Sequence, residues 1–207
     1  GGVIVARAQA AAAGLNPDRD IRIVVAGEGA STAALLRNNQ IDALSQFDVQ
    51  YAMIENAGIK IRQFDVGEMA RFPGNGFVAK PETLNTHRKE AVALAQAFAM
   101  GEIFALTNPE AAVRIHWEVF PQSKPTGKDE ETALRDDVKI LKARIVHWPP
   151  ETGGSTRWGE GNAANFQAYL DFLAKWKVIP ESVPAGDIQT NDLIADINKF
   201  DAEKVRK

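Results

Sequence analysis

The sequence predicts an α/β fold with a mostly parallel sheet over residues 1–65, on three observations. Short β-branched runs of strand length alternate with helical stretches of about ten residues. A Gly or Asn follows each helical stretch, which is where helices commonly end. Parallel strands need long crossover connections, and these are usually helices that cover both faces of the sheet.

The elements of this region follow in the order helix, strand, helix, strand, helix, strand. The first helix is Ala-rich and ends at Gly14, and the first strand, with the sequence IRIVVA, ends at Gly27. We place the helices at residues 3–13, 30–38 and 49–56, and the strands at residues 21–26, 41–46 and 59–64.

The rest of the chain is predicted to be mainly helical. Residues 76–80, with the sequence GFVAK, predict a single strand, and Pro81 then begins a helical pattern. We place the helices at residues 81–106, 109–117, 130–146, 162–177 and 192–200.

The composition is that of a soluble globular protein. The 207 residues include 24 Lys plus Arg, 27 Asp plus Glu and no Cys, with a net charge of -3 and 45% hydrophobic residues. The near-neutral charge argues against nucleic acid as a partner, and the lack of Cys excludes disulfides and thiolate metal sites. The longest uncharged apolar stretch, residues 91–101, is shorter than the roughly 18 residues that cross a bilayer.

The chain begins with Gly1-Gly2 and shows neither Met nor an apolar leader. A helix that starts at residue 2 or 3 would normally follow a parallel strand. We therefore expect that a strand and further sequence precede Gly1, and that no targeting signal can be identified.

The start of the first helix is the first candidate binding position. Gly1 and Gly2 would let a ligand approach the N–H groups and the positive dipole end of a helix, which favours an anion. A simple tight turn explains the two glycines equally well.

The second candidate position is the loop Ser45-Gln46-Phe47-Asp48, where a predicted strand ends and a helix begins. Open α/β sheets present their ligand-binding groups at this edge. Gln46 can donate and accept hydrogen bonds and Phe47 can form an aromatic wall, whereas helix capping is the favoured role of Asp48. In the alternative interpretation, Phe47 lies in the core.

No catalytic or metal-binding pattern stands out. Gly27-Glu28-Gly29 copies part of a dinucleotide fingerprint, but Thr32 replaces its third glycine and Glu28 would repel a pyrophosphate. The three histidines are not at metal-ligand spacing, and no GxSxG elbow occurs. We therefore expect no cofactor, no metal and no enzymatic activity.

Eight short runs of small and structural residues occur in one order along the chain. They are GGV at 1–3, GEGA at 27–30, QIDAL at 40–44, NAGI at 56–59, NPEAA at 108–112, RWG at 157–159, TN at 190–191 and NKFD at 198–201. In this order the chain resembles periplasmic solute-binding proteins of ABC transporters, in the nitrate, sulfonate, taurine and thiamine-precursor class.

The resemblance implies two α/β lobes of the type II periplasmic-binding-protein kind, joined by crossing strands, with the first lobe incomplete. Residues 1–76 would form the second lobe, and residues 77–207 the crossing strand and the helical remainder of the first lobe. A ligand would bind in the interlobe cleft and favour a closed form. The ligand-binding residues it implies are Gly1, Gly2, Val3, Ser45, Gln46, Phe47, Asp48, Phe72 and Asn75.

The resemblance also implies a function and partners. The expected function is the capture of a small, anionic organic solute, such as a sulfonate, taurine or nitrate, by the substrate-binding component of an ABC importer. The partners would be this small molecule and a membrane permease. The protein would be a monomer in a periplasmic or other extracytoplasmic location. Two alternatives stay open: a thiamine-pyrimidine synthase-like enzyme and the effector-binding domain of a transcriptional regulator.

Overall fold

The computed structural model describes residues 2–27 and 30–207 of the chain. Over these residues the regular secondary structure consists of ten α-helices and four short 3-10 segments. Gly1, Glu28 and Gly29 lie outside the described residues. The predictions that rest on them, the first residue of the helix start and the middle of the glycine-rich turn, therefore stay predictions.

The predicted helices are confirmed, with two differences. The helix predicted over residues 81–106 is divided at His87, where φ is -123°, and the helix predicted over residues 192–200 is shortened to Ile194–Ile197, with a further, unpredicted helix at Ala202–Val205. The bounds are α1 Gly2–Ala12, α2 Ala30–Arg37, α3 Asp48–Asn56, α4 Pro81–Thr86, α5 Arg88–Thr107, α6 Pro109–Val119, α7 Glu130–Ile145, α8 Ala163–Lys175, α9 Ile194–Ile197 and α10 Ala202–Val205.

The predicted parallel sheet is wrong, because no β-strand is present in residues 2–27 and 30–207. The segments predicted as strands have irregular backbone; they are residues 21–26, 41–46, 59–64 and 76–80. A β-branched run forms a strand only where another strand pairs with it and one of its faces is buried. Val25 and Val78 are instead each 98% exposed. The α/β fold class is thus corrected to helices joined by irregular segments.

After the first of these segments, residues 21–26, a side chain bonds to the backbone groups that a neighbouring strand would otherwise bond. The hydroxyl of Thr32, a fully buried residue, lies 3.2 Å from the carbonyl oxygen of Ala26 and 3.1 Å from that of Gly27. Gly27 has a φ of +72°, a conformation that glycine adopts without strain. Local side-chain bonding of this kind competes with a β-ladder for the same backbone groups.

The chain divides into two compact units. The first unit comprises the residues up to Val66 together with Arg135–Arg144, so it contains α1, α2, α3 and most of α7. Helices α2 and α3 pack on each other, and Thr32, Ala52 and Ile54 are buried on them. The described core of the first unit therefore includes the contact between α2 and α3.

The second unit comprises Gly67–Leu134 and Ile145–Lys207. Its central helix is α5, which packs against α6, α9 and α10. Ile103 on α5, Trp117 on α6 and Ile194 on α9 are buried in this packing. The second unit is thus a helical assembly organised around one long helix.

Helix α5 is the one helix in the described part of the chain that is long and apolar enough to cross a membrane. Its 20 residues exceed the uncharged stretch 91–101, because a spanning window tolerates a few charged side chains. Core helices of soluble proteins often have the same length and composition. These two properties alone therefore assign α5 no membrane role.

Candidate functional site

The start of α1 contacts residues 45–48, which we call the site loop. A Cβ atom added at Gly2 would lie 2.7 Å from the backbone oxygen of Ser45, so only glycine fits there without displacement. The first turn of α1 contains no acidic side chain, and no carboxylate in it opposes the positive end of the helix dipole. Val3, the next predicted binding residue, is exposed.

The side chain of Gln46 points its amide nitrogen at the turn before α2. Nε2 donates to the carbonyl oxygen of Gly27 at 2.8 Å and to the hydroxyl oxygen of Thr32 at 3.2 Å. Within residues 2–27 and 30–207, Oε1 of Gln46 is buried and has no hydrogen-bond partner. Leaving a buried acceptor unsatisfied costs about 1–3 kcal/mol, so such a group in a native protein calls for an explanation.

Tyr51 on α3 fixes the backbone of the site loop. Its hydroxyl accepts a hydrogen bond from the backbone N–H of Gln46 at 2.9 Å and lies 3.2 Å from the carbonyl oxygen of Leu44, to which it can donate. A tyrosine on the helix that follows the loop therefore holds the segment on which Gln46 lies.

The end of the site loop differs from the predicted cap. Helix α3 begins at Asp48 itself, and Phe47 occupies the N-cap position. The N–H of Phe47 donates to the side-chain oxygen of Gln50 at 3.1 Å. Asp48 accepts from the N–H of Val49 at 2.8 Å and forms an ion pair with Arg144 of α7 at 3.0 Å. The Phe47 ring is 63% exposed, which agrees with a surface position and not with the core.

Phe72 and Asn75, the remaining predicted binding residues, belong to the second unit. The ring of Phe72 lies 5.5 Å from that of Tyr169 and 5.0 Å from that of Phe172, so it takes part in an aromatic cluster with α8. Asn75 is exposed. The structure therefore places Gly2 against Ser45, one residue before Gln46, and gives Phe72 a packing role.

Sequence reasoning missed three residues around the site loop. Thr32 was considered only as a departure from a glycine fingerprint, and Tyr51 and Arg144 were not considered as site residues. The Tyr51 hydroxyl could have been suspected, since a tyrosine early in a helix can reach back to the preceding loop. Arg144 lies 96 positions from Asp48, and no local pattern connects residues at that separation.

Two surface hollows of the molecule lie in other places. One of about 380 Å³ is next to Gly154, Glu160 and Asn191, and one of about 460 Å³ is next to Asn108 and Arg114. Neither contains a predicted binding residue. Among the described residues, no group of three or more His, Asp or Glu side chains could hold a metal ion. The site loop is therefore selected by its unpaired polar group and not by the size of a cavity.

Ser45 contacts the start of α1, whose first turn has no acidic side chain, and the following residue, Gln46, has a buried amide oxygen without a partner among the described residues. Such groups can bind a small polar molecule. Over residues 2–112, which are 111 of the 207 residues, the chain matches the family described as NMT1/THI5 like, and it belongs to this family. The family supports solute binding in general, and implies a small-molecule ligand and the context of an ABC transporter. No curated protein and no solved structure matches the chain at a significant level.

Proposed function

We propose that the protein is the substrate-binding component of an ABC importer and captures a small, anionic organic solute without changing it chemically. It would work in the periplasm or another extracytoplasmic location, as a monomer that delivers the solute to a membrane permease. The family membership supports the general role. The site loop supports the class of ligand.

The observation that carries this proposal is the buried Oε1 of Gln46, which has no hydrogen-bond partner among the described residues. An acceptor in this position is satisfied when a ligand brings an N–H or O–H group to it. The neighbouring residue, Ser45, contacts the start of α1 at Gly2, where the helix favours a negative group. A solute with an anionic end and a hydrogen-bond donor fits both features.

The Phe47 ring adds an apolar surface next to these polar groups. It is exposed, although burial of a large aromatic ring contributes stability. A ligand with a short carbon chain or a ring can cover it and remove apolar area from water. This favours an organic anion over a bare inorganic one.

A thermal-shift panel tests the proposal. The purified chain would be heated with taurine, alkanesulfonates, nitrate, small carboxylates and aminopyrimidines, each against potassium chloride at equal ionic strength. A ligand at 100 times its Kd stabilises the folded state by about 2.7 kcal/mol, which raises Tm measurably. We expect organic sulfonates or carboxylates to give a shift that saturates with concentration.

Two results would contradict the proposal. One is a panel in which no anionic solute raises Tm above the chloride control. The other is mass-spectrometric detection of a converted product after incubation with the binding solute, which would favour the thiamine-pyrimidine synthase-like alternative. A saturable shift with full recovery of the unchanged solute supports the binding function.

A further inference from the structure

Helices α3 and α7 are joined at three points within the first unit. The side-chain amide of Asn56 donates to the backbone oxygen of Asp136 at 3.1 Å. Lys139 pairs with Glu55 at 3.0 Å, and Arg144 pairs with Asp48 at 3.0 Å. Because the partners descend along α3 while they ascend along α7, the two helices are antiparallel.

The two ion pairs differ in their surroundings. The side chains of Lys139 and Glu55 are 48% and 43% exposed, whereas those of Arg144 and Asp48 are 32% and 20% exposed. Water screens the first pair more strongly, and exposed pairs contribute little to stability. The less exposed Arg144–Asp48 pair is therefore expected to contribute more than the Lys139–Glu55 pair to holding the local conformation.

Arg144 acts on the residue at which the site loop ends. Its Nη1 lies 3.0 Å from Oδ2 and 3.4 Å from Oδ1 of Asp48, so both carboxylate oxygens face one guanidinium nitrogen. Oδ1 also accepts from the N–H of Val49. Holding this carboxylate fixes the first residue of α3, only two positions after Gln46.

We propose that Arg144 is a positioning residue for the solute site: through Asp48 it holds the site loop in the conformation that presents Gln46 to the ligand. This inference rests on the proposed function. Arg144 lies outside residues 2–112, the region that matches the family, so the family match does not assign it this role. Lys139 joins the same two helices but pairs with Glu55, near the other end of α3 from the site loop.

Two matched variants test the proposal. Arg144→Gln removes the charge that faces the site loop, and Lys139→Gln removes a charge from the same helix that pairs farther along α3. We expect Arg144→Gln to raise the Kd for taurine, measured by calorimetry, at least tenfold, while Lys139→Gln changes it less than twofold. Arg144→Lys keeps the charge and should recover part of the affinity.

A ligand-free measurement keeps the test independent of the proposed function. Hydrogen exchange of the peptide that covers residues 45–51 should be at least fivefold faster in Arg144→Gln than in the unchanged chain, and unaltered in Lys139→Gln. If the unchanged chain binds none of the anionic solutes of the panel, the proposed ligand class fails, and the exchange rates alone decide on Arg144. Equal exchange in the two variants, or equal Kd values for taurine, would overturn the positioning role.

Discussion

The site loop in the first unit and residues 154–161 in the second unit, which we call the second-unit loop, are both polar and both precede a helix. In the second-unit loop, Asn191 exchanges two hydrogen bonds with the backbone of Gly161. Asn198 does the same with the backbone of Trp158 and also donates to Ile194. In the site loop, by contrast, the buried Oε1 of Gln46 has no partner within the part of the chain that the structure describes.

This difference separates two uses of amide side chains. A side chain whose donors and acceptor are all used within the chain fixes a loop and contributes to stability. A side chain with a buried, unused acceptor lowers stability unless another molecule satisfies it. The contrast is therefore consistent with a structural role for the second-unit loop and supports our proposal that the site loop binds a ligand.

The largest effect is expected at Gly2. Gly2→Ala places a Cβ atom 2.7 Å from the backbone oxygen of Ser45, so the helix start and the site loop must move apart. Overpacking of this kind costs about 1–3 kcal/mol in the free energy of unfolding. We also expect the Kd for the bound solute to rise about 100-fold, measured by calorimetry beside urea unfolding.

The same substitution at Gly101 is the control. Gly101 lies in the middle of α5, and a Cβ atom there would meet no atom within 4 Å. Gly101→Ala should therefore stabilise the protein by about 1 kcal/mol, from helix propensity alone. Equal effects of the two substitutions on solute affinity would remove Gly2 from the site.

The next largest effect tests the structural role of the second-unit loop. Asn198→Ala removes three hydrogen bonds and leaves the backbone groups of Trp158 without these partners. We expect the free energy of unfolding to fall by about 2–3 kcal/mol in urea. Solute affinity, measured at a temperature where the variant is folded, should stay within twofold of the original, and a tenfold loss would end the contrast between the loops.

Local patterns in the sequence were sufficient for most of the helices. Pro81 and Pro109 begin α4 and α6 as expected, and the Ala-rich run ends as α1 before Gly14. The strands failed because a strand depends on a partner that local sequence does not describe. Residues 21–26 have strong strand propensity, yet Val25 is exposed and Thr32 bonds the backbone beside it.

The candidate site was predictable only in part, for the same reason. Glycines at a helix start and an amide in a loop are local signals, and they led to Gly2 and Gln46. The contacts of Gln46 with Gly27 and of Asp48 with Arg144 join residues 19 and 96 positions apart. Such contacts follow from packing, so local sequence predicts a capping role for Asp48 where the structure shows an ion pair with Arg144.

A smaller effect is expected when the unpaired oxygen itself is removed. Gln46→Leu deletes the buried Oε1 but also the donor to Gly27, so the two changes oppose each other and stability should shift by less than about 1 kcal/mol. The Kd for the solute should rise about tenfold, or about 1.4 kcal/mol, because the ligand loses an acceptor. Binding by Gln46→Leu at full affinity would contradict our explanation of this oxygen.

The smallest effect concerns Glu102, a partly buried polar side chain on α5 in the second unit. It tests whether a buried polar side chain, like that of Gln46, is always part of a ligand site. Burial raises the pKa of Glu102 from 4.5 to about 7. A carboxyl can take up a proton and lose its charge, whereas the amide of Gln46 has no such means of relief. We therefore interpret Glu102 as a titratable side chain that is partly buried where α5 packs, and not as a binding residue.

This interpretation gives a pH dependence with a definite sign. Because the pKa of Glu102 is raised in the folded state, its contribution to stability is fully present below pH 4.5 and is lost as the pH rises to about 7. Glu102→Gln should thus increase the free energy of unfolding at pH 8 by about 1 kcal/mol, a value reduced for partial exposure, and leave it unchanged at pH 4. Urea unfolding at both pH values measures this, with the exposed Glu118→Gln on α6 as the control.

If Glu102→Gln instead weakens solute binding while Gln46→Leu does not, the ligand site lies in the second unit and the comparison between the two loops is reversed.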